Sequence, residues 1–127
     1  MSATRTGACL CGAVTYRVEG PMRSVTLCHC GQCRRMAGHA RGSAVAPRAA
    51  IAVDGPLTWY RSSAQAERGV CPRCGSSLFW QIDGEAGQSV ALGSLDAPTG
   101  LRLEAHIFAQ DRGDYDEIAD GLPIREG

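Results

Sequence analysis

Residues 27–35 read Leu-Cys-His-Cys-Gly-Gln-Cys-Arg-Arg and place three cysteines within six positions, close enough for one metal ion to bind all three thiolates. The remaining four of the seven cysteines form two separate pairs, Cys9 with Cys11 and Cys71 with Cys74. Four thiolates complete a tetrahedral zinc site, whereas three leave one position for water or substrate. The count therefore favours a closed four-cysteine site and an open three-cysteine site.

The open site is predicted at Cys28, Cys30 and Cys33. In an extended chain Cys28 and Cys30 point to the same side while His29 points away, and Gly31 eases the turn that brings Cys33 to the same ion. Three thiolates already donate charge to the metal, so binding and activating a soft thiol is favoured over generating hydroxide. We therefore expect these three cysteines to form a catalytic centre.

Three alternatives remain open for this cluster. His29 would close the site as a fourth ligand and make it structural. The Cys28–Cys33 group would instead share a site with the first cysteine pair and leave the second pair over. A third alternative is an open zinc site that is catalytically idle.

The closed site is predicted to join Cys9 and Cys11 to Cys71 and Cys74, about sixty residues further along the chain. A two-thiol knuckle cannot satisfy zinc alone, but two such knuckles together supply four ligands. Structural zinc contributes roughly 10–16 kcal/mol, comparable with the whole stability of a small domain. This pairing rests on the cysteine count, and the alternative is that Cys71 and Cys74 form a redox-active dithiol.

Charged side chains follow the open site directly. Arg34 and Arg35 are predicted to bind a substrate carboxylate and to offset the negative charge of the thiolates, and Arg41 is a further candidate for a substrate carboxylate. The alternative is that Arg34 and Arg35 are solvated or donate N–H···S hydrogen bonds. His39 and His106 are interpreted as structural or surface histidines rather than as metal ligands.

Composition excludes several classes of function. The chain has 127 residues, with thirteen arginines, no lysine and thirteen acidic residues, and this balanced charge argues against a nucleic-acid partner. We expect one domain over residues 1–127, with residues 1–6 as a flexible terminus. No signal peptide or membrane span is recognisable, which predicts no membrane partner and a cytoplasmic location, where cysteines stay reduced. The odd cysteine count also disfavours a disulfide framework.

Short alternations of apolar and polar residues between turn signals predict a mainly β fold of seven or eight strands, beginning with residues 13–18. Residues 62–68 are polar and expected to be exposed, and residues 114–119 are expected to form a short helix capped by Asp114. The other predicted strands are residues 24–27, 38–45, 51–53, 57–61, 77–82, 89–95 and 101–108. The aromatic residues expected in the core are Trp59, Phe79 and Trp80.

Several stretches carry a further signal when they are read together: residues 7–16 (Gly-Ala-Cys-Leu-Cys-Gly-Ala-Val-Thr-Tyr), 28–34 (Cys-His-Cys-Gly-Gln-Cys-Arg), 71–78 (Cys-Pro-Arg-Cys-Gly-Ser-Ser-Leu), 106–108 and 120–123. With its three cysteine clusters in this order and spacing, the chain resembles the family of glutathione-dependent formaldehyde-activating enzymes, whose domain is shared with centromere protein V. The resemblance covers nearly the whole sequence.

The resemblance implies a β-tent of short antiparallel sheets and two zinc ions per chain. It implies carbon–sulfur bond formation between glutathione and formaldehyde, hence a lyase of the S-(hydroxymethyl)glutathione synthase type with a small-molecule thiol and an aldehyde as partners. A second hypothesis, based on the short chain and the lack of an obvious general base, is a non-catalytic interaction module with two structural zinc sites. The zinc ligands implied are Cys9, Cys11, Cys71 and Cys74 for the structural ion, and Cys28, Cys30 and Cys33 for the second.

Overall fold

The smaller of the two sheets is built around a strand in which buried and exposed side chains alternate. In the computed structural model, which describes residues 3–127, strand β2 (Thr15–Glu19) buries Tyr16 and Val18 and exposes the three residues that alternate with them. Strands β1 (Thr4–Ala8) and β5 (Ile51–Asp54) pair antiparallel with its two edges. These three strands form one sheet, in the order β1-β2-β5.

The larger sheet contains the other seven strands of the described residues. They are β3 (Arg23–Cys28), β4 (Arg41–Pro47), β6 (Thr58–Arg61), β7 (Ala66–Val70), β8 (Ser77–Ile82), β9 (Gly87–Ala91) and β10 (Ala105–Ile107). Their order is β10-β3-β4-β9-β8-β7-β6, and only the pairing of β10 with β3 is parallel. The expected mainly β, single-domain fold of short antiparallel sheets is confirmed.

The apolar core joins the two sheets. Tyr16 from the smaller sheet packs edge-on against Phe79 of the larger one, with ring centroids 5.0 Å apart. Phe79 is fully buried, Trp59 is half-buried against the same core, and Trp80 is half-buried on the opposite face of β8. The core also contains two cysteines, Cys9 and Cys71.

One short helix covers part of the larger sheet. Helix α1 (Gly31–Ala37) begins after Cys30, whose sulfur accepts a hydrogen bond from the backbone N–H of Cys33, and it ends at Gly38 in the left-handed conformation. Cys33, expected on a turn, therefore lies in a helix, because a side-chain N-cap and a glycine C-cap define both of its ends. Three 3₁₀ turns complete the described secondary structure: Arg48–Ala50, Leu92–Ser94 and Ala109–Asp111.

Within residues 3–127 the longest helix, α1, has seven residues, and no helix is long and apolar enough to cross a membrane. The turn or single helical turn expected after Pro47 is the 3₁₀ turn Arg48–Ala50. Two predicted strands are shorter than expected, because residues 92–94 leave β9 as a 3₁₀ turn and only 105–107 of residues 101–108 are extended and paired.

Residues 4–6, expected in a flexible terminus, lie in β1 instead. They pair with Arg17, Val18 and Glu19 of β2, and this sheet pairing orders them. Met1 and Ser2, which belong to the same expectation, lie outside the described residues.

Two further expectations are wrong. Residues 66–68, expected to be polar and exposed, lie in β7, and Arg68 is 3% exposed because a buried sulfur and an amide bind its guanidinium. Residues 114–119 form no helix, since six residues cannot stabilise a helix alone and the Asp116 carboxylate faces histidines elsewhere in the fold.

Candidate metal centres

The four cysteines of the predicted closed site come together. Their sulfurs all lie within 4.8 Å of one another, with Cys9 and Cys11 separated by 3.7 Å and Cys11 and Cys71 by 3.8 Å. A tetrahedral zinc ion with Zn–S bonds of about 2.3 Å requires sulfurs about 3.8 Å apart. The donor set and its spacing therefore fit zinc, and we call Cys9, Cys11, Cys71 and Cys74 the closed cluster.

Local hydrogen bonds shape this cluster. The knuckle between β7 and β8 is closed by Gly75 N–H, which donates to the Cys71 carbonyl at 2.8 Å while Gly75 adopts a positive φ of 80°. The Ser76 hydroxyl accepts from Leu10 N–H at 3.0 Å and lies 3.2 Å from the Cys74 sulfur, so it links the two halves. Hydrogen bonding from Ser76 is the main cause that lowers the pKa of Cys74 to about 5, which favours the thiolate that a metal requires.

The second set of cysteines also converges. Cys28 ends β3, Cys30 caps α1 and Cys33 is buried inside that helix, and their three sulfurs lie within 4.8 Å of one another. Among residues 3–127, no further Cys, His, Asp or Glu donor joins this group. We call Cys28, Cys30 and Cys33 the open cluster, since its donor set fits zinc with one position left for another ligand.

The register of the larger sheet brings two arginines beneath the open cluster. Arg41 is directly opposite Cys28 in the pairing of β3 with β4, so both side chains lie on one face. Arg68 pairs with Trp80, and Trp80 pairs with Ser89 on the next strand. Directly paired residues share a face, so the Arg68 side chain lies on the same face as these two residues and Arg41. The opposite face of the sheet carries apolar core residues such as Phe79 and Val90. The pleat thus separates an apolar core from a buried polar layer.

Both arginines are almost completely buried, with Arg41 6% and Arg68 3% exposed. Arg41 donates from Nη1 to Ser89 at 2.7 Å, and burial lowers its pKa to about 10. Arg68 donates from Nη2 to the Gln32 amide oxygen at 3.2 Å and to the Cys33 sulfur at 3.7 Å. Hydrogen bonding from Cys28, followed by Cys30 and Arg68, lowers the pKa of Cys33 to about 5, whereas hydrogen bonding from Cys33 and burial raise the pKa of Cys28. The thiolate is therefore favoured at Cys33, with the Cys28 thiol as one of its hydrogen-bond donors.

A chain of histidines and carboxylates lies behind the open cluster. His29 is 2% exposed, and its Nε2 is 2.9 Å from His106 Nδ1, while His106 Nε2 is 2.7 Å from the Asp120 carboxylate. If His106 donates to Asp120, its Nδ1 accepts the N–H of His29. Burial, followed by the charge on His106, lowers the pKa of His29, which favours its neutral form. His29 thus faces away from the sulfurs and ties the open cluster to the C-terminal segment.

The other residues singled out in the sequence lie at the margin of the site. Arg34 is half-buried and donates to the Asp111 carbonyl at 2.9 Å, and Arg35 is exposed on α1. His39 is 58% exposed, with Nε2 3.8 Å from the Asp116 carboxylate. None of these three side chains forms a hydrogen bond to a sulfur of the open cluster, whereas Arg68 does.

A cavity of about 470 Å³ lies between α1, the turn at Cys9 and Leu10, and the start of β8. Among the described residues that line it, Arg41 is the one that carries a charge, and Met36 and Leu78 are among its apolar walls. Arg41 therefore contacts both this cavity and the polar layer beneath the open cluster.

The family model for the glutathione-dependent formaldehyde-activating enzymes matches residues 4–111. The chain belongs to this family. The matched region includes all seven cysteines and ends before Asp116 and Asp120, so the carboxylate ends of the histidine chain lie outside it.

A solved structure of similar fold supports the architecture of this family member. A crystal structure of a Rhodobacter sphaeroides protein is 25% identical, superimposes with a TM-score of 0.62, and the alignment covers 75% of this chain and 91% of that one. No curated protein matches the chain. The match to the family model confirms the expected family resemblance.

Sequence reasoning missed Arg68 and the contact between His29 and His106. Residues 66–70 read Ala-Glu-Arg-Gly-Val, which shows no clean alternation and so did not indicate a strand with a buried arginine. The histidines come together only through the parallel pairing of β10 with β3, over a separation of 77 residues. No local signal in the sequence could have paired them.

Proposed function

We propose that this family member is a zinc-dependent carbon–sulfur lyase that joins a thiol such as glutathione to a small aldehyde such as formaldehyde. The observation that carries the proposal is the open cluster, in which three sulfurs converge and the described residues provide no fourth donor. Two zinc ions per chain are proposed, one in the closed cluster and one in the open cluster. Zinc in the open cluster would supply a coordination site for the incoming thiol and a positive charge beside the aldehyde oxygen.

The proposed reaction is an addition that balances without a further reactant. The sulfur of the thiol attacks the carbonyl carbon, a carbon–sulfur bond forms, and the carbonyl π electrons move to oxygen. The proton lost by the thiol ends on that oxygen, which gives an S-hydroxymethyl product from formaldehyde. Nothing is oxidised or reduced, so the reaction needs no oxidant or reductant.

Binding of the rest of the substrate is assigned to arginines. Arg34 and Arg35 lie on α1, one and two residues after Cys33, and we propose that they bind the carboxylates of glutathione. The neighbouring cavity of about 470 Å³ falls within the roughly 300–1,000 Å³ typical of ligand sites. None of the seven cysteines forms a disulfide, and we propose a cytoplasmic location because unoxidised cysteines persist in reducing compartments.

The alternative of a non-catalytic module with two structural zinc sites requires a fourth protein ligand at the open cluster. His29, the nearest such residue in sequence, instead directs both ring nitrogens toward His106 and Asp116. The geometry of the described residues therefore favours the lyase over the module.

The test is the rate of S-hydroxymethylglutathione formation by protein carrying two zinc ions, compared with the uncatalysed reaction and with metal-free protein. We expect acceleration by the zinc-loaded protein alone, and Cys30→Ser should reduce the rate to the uncatalysed background. A zinc-loaded protein that gives no acceleration with glutathione or other small thiols would rule the lyase out.

A further inference from the structure

Arg41 and Arg68 are two buried arginines on one face of the larger sheet, and their guanidinium groups have few hydrogen-bond partners. Arg41 Nε and Nη2, and Arg68 Nε and Nη1, are buried and have no hydrogen-bond partner among the described residues. Nε and Nη2 of Arg41 form the side of the guanidinium that presents two parallel N–H groups, the arrangement that binds an anion best. Both side chains therefore have N–H groups that are available to bind an anion.

The titratable groups that influence the pKa of Arg41 most strongly belong to the site itself. They are Arg68 and the three cysteines of the open cluster, Cys28, Cys30 and Cys33. Arg68 contacts the Cys33 sulfur directly at 3.7 Å. No carboxylate of the described residues pairs with either guanidinium, since their hydrogen bonds go to Ser89, Gln32 and Cys33.

Charge counting shows what this arrangement lacks. Three thiolates and one zinc dication leave a single negative charge, whereas the two arginines carry two positive charges. With a neutral fourth ligand such as water, one buried positive charge remains uncompensated, which is costly in a site of low dielectric. An anionic fourth ligand brings the site to neutrality.

We infer that Arg41 and Arg68 make the open cluster selective for an anionic fourth ligand, so that a thiol binds there as its thiolate. The two arginines thus determine specificity for the ionised nucleophile. This inference rests on the proposed function, because it assumes that the open cluster binds zinc and a thiol.

The experiment compares two small probes of different charge on zinc-loaded protein by titration calorimetry. 2-Mercaptoethanol binds as an anion if the inference holds, whereas imidazole is a neutral ligand for zinc. In Arg68→Met and Arg41→Met, mercaptoethanol binding should weaken by about tenfold or more, because a unit charge a few ångströms away is removed from a site of low dielectric. Imidazole binding should stay within about threefold of wild type, since the neutral ligand gains little from the arginines.

Two control variants separate charge from packing. Arg68→Lys keeps the positive charge and should retain most of the preference for mercaptoethanol. Arg61→Met removes an exposed arginine of the same sheet, which pairs with Asp83 and Glu67, and should leave both affinities unchanged. Zinc content near two ions per chain in every variant is required for the comparison.

A second measurement needs no variant. A free thiol is protonated near neutral pH, and both probes displace the same resting ligand, so mercaptoethanol bound as thiolate should release about one proton more than neutral imidazole does, measured from the heats in buffers of different ionisation enthalpy. Equal proton release for the two probes overturns the inference, even if a methionine variant does not fold. So does an equal loss, or no loss, for both probes in the arginine variants. Wild-type protein that binds no thiol overturns the lyase proposal as well, whereas thiol binding that ignores the arginines overturns this inference alone.

Discussion

The two cysteine clusters use the same ligand chemistry in opposite surroundings. The closed cluster adjoins the apolar core, where Cys9 and Cys71 pack with Val14, Leu78 and Phe79. The open cluster sits on the polar face of the larger sheet, above Arg41 and Arg68 and in front of His29. A four-thiolate site has no position left for another ligand and can only stabilise the fold, whereas three thiolates among buried cations can also bind a further anion. The number of thiolates and the surroundings together therefore distinguish the two roles.

The largest expected effect concerns the closed cluster. Cys71→Ser should abolish cooperative folding, because the loss of one of four ligands removes most of a zinc contribution on the order of 10 kcal/mol. Thermal melts followed by circular dichroism, together with zinc analysis, measure this effect. A cooperative Cys71→Ser domain with wild-type stability would show that the closed cluster does not hold the fold.

Cys30→Ser is the matched change in the open cluster. Serine is itself a good helix N-cap and can replace the sulfur that accepts from Cys33 N–H, so α1 should persist. We expect a folded protein with one zinc ion fewer and without lyase activity. If Cys30→Ser loses its fold to the same extent as Cys71→Ser, the division into structural and functional clusters is wrong.

A smaller effect is expected from the histidine chain behind the open cluster. His106→Ala leaves the buried His29 Nε2 without its partner and should cost about 1–3 kcal/mol in unfolding free energy, measured by urea denaturation. The closed cluster should keep its zinc in this variant. His39→Ala serves as the control, because His39 is largely exposed and should change stability little. If the two substitutions changed the unfolding free energy equally, the histidine chain would not stabilise the contact with the C-terminal segment.

The smallest effect concerns the core beside the closed cluster and appears at alkaline pH. Burial raises the pKa of Tyr16 from 10.0 to about 12, and its hydroxyl lies 2.6 Å from Ser94. The folded state therefore favours the neutral phenol, and this contribution is complete below about pH 10 and is lost as the pH rises toward 12. Between pH 9 and 11 the wild type should lose about 1 kcal/mol more than Tyr16→Phe in urea unfolding.

Tyr60→Phe is the control for this pH effect, because Tyr60 is exposed and should follow the wild type. A Tyr16→Phe protein with the same alkaline loss as the wild type would mean that the Tyr16 phenol is not protected by the core.

Local patterns predicted the strands whose two faces differ. β2 was recognisable because Tyr16 and Val18 alternate with polar residues, and β8 because of its aromatic run. β7 was not, since it is buried on both faces and carries Arg68 where an apolar side chain is usual. The helix predicted at residues 114–119 is absent although the local pattern favours it, because contacts of Asp116 with distant histidines override that preference.

The sequence by itself determined the number of thiols, their division into clusters and the family, because cysteine spacing and metal geometry are short-range properties. Only the tertiary structure decided which residues surround those thiols. Arg68 is 35 residues from Cys33 in the chain, and His106 is 77 residues from His29. Such neighbours are chosen by strand order and by the two-residue pleat, which place side chains from distant segments on one face. The charge balance of the open cluster is therefore a property of the fold, and no single stretch of sequence contains it.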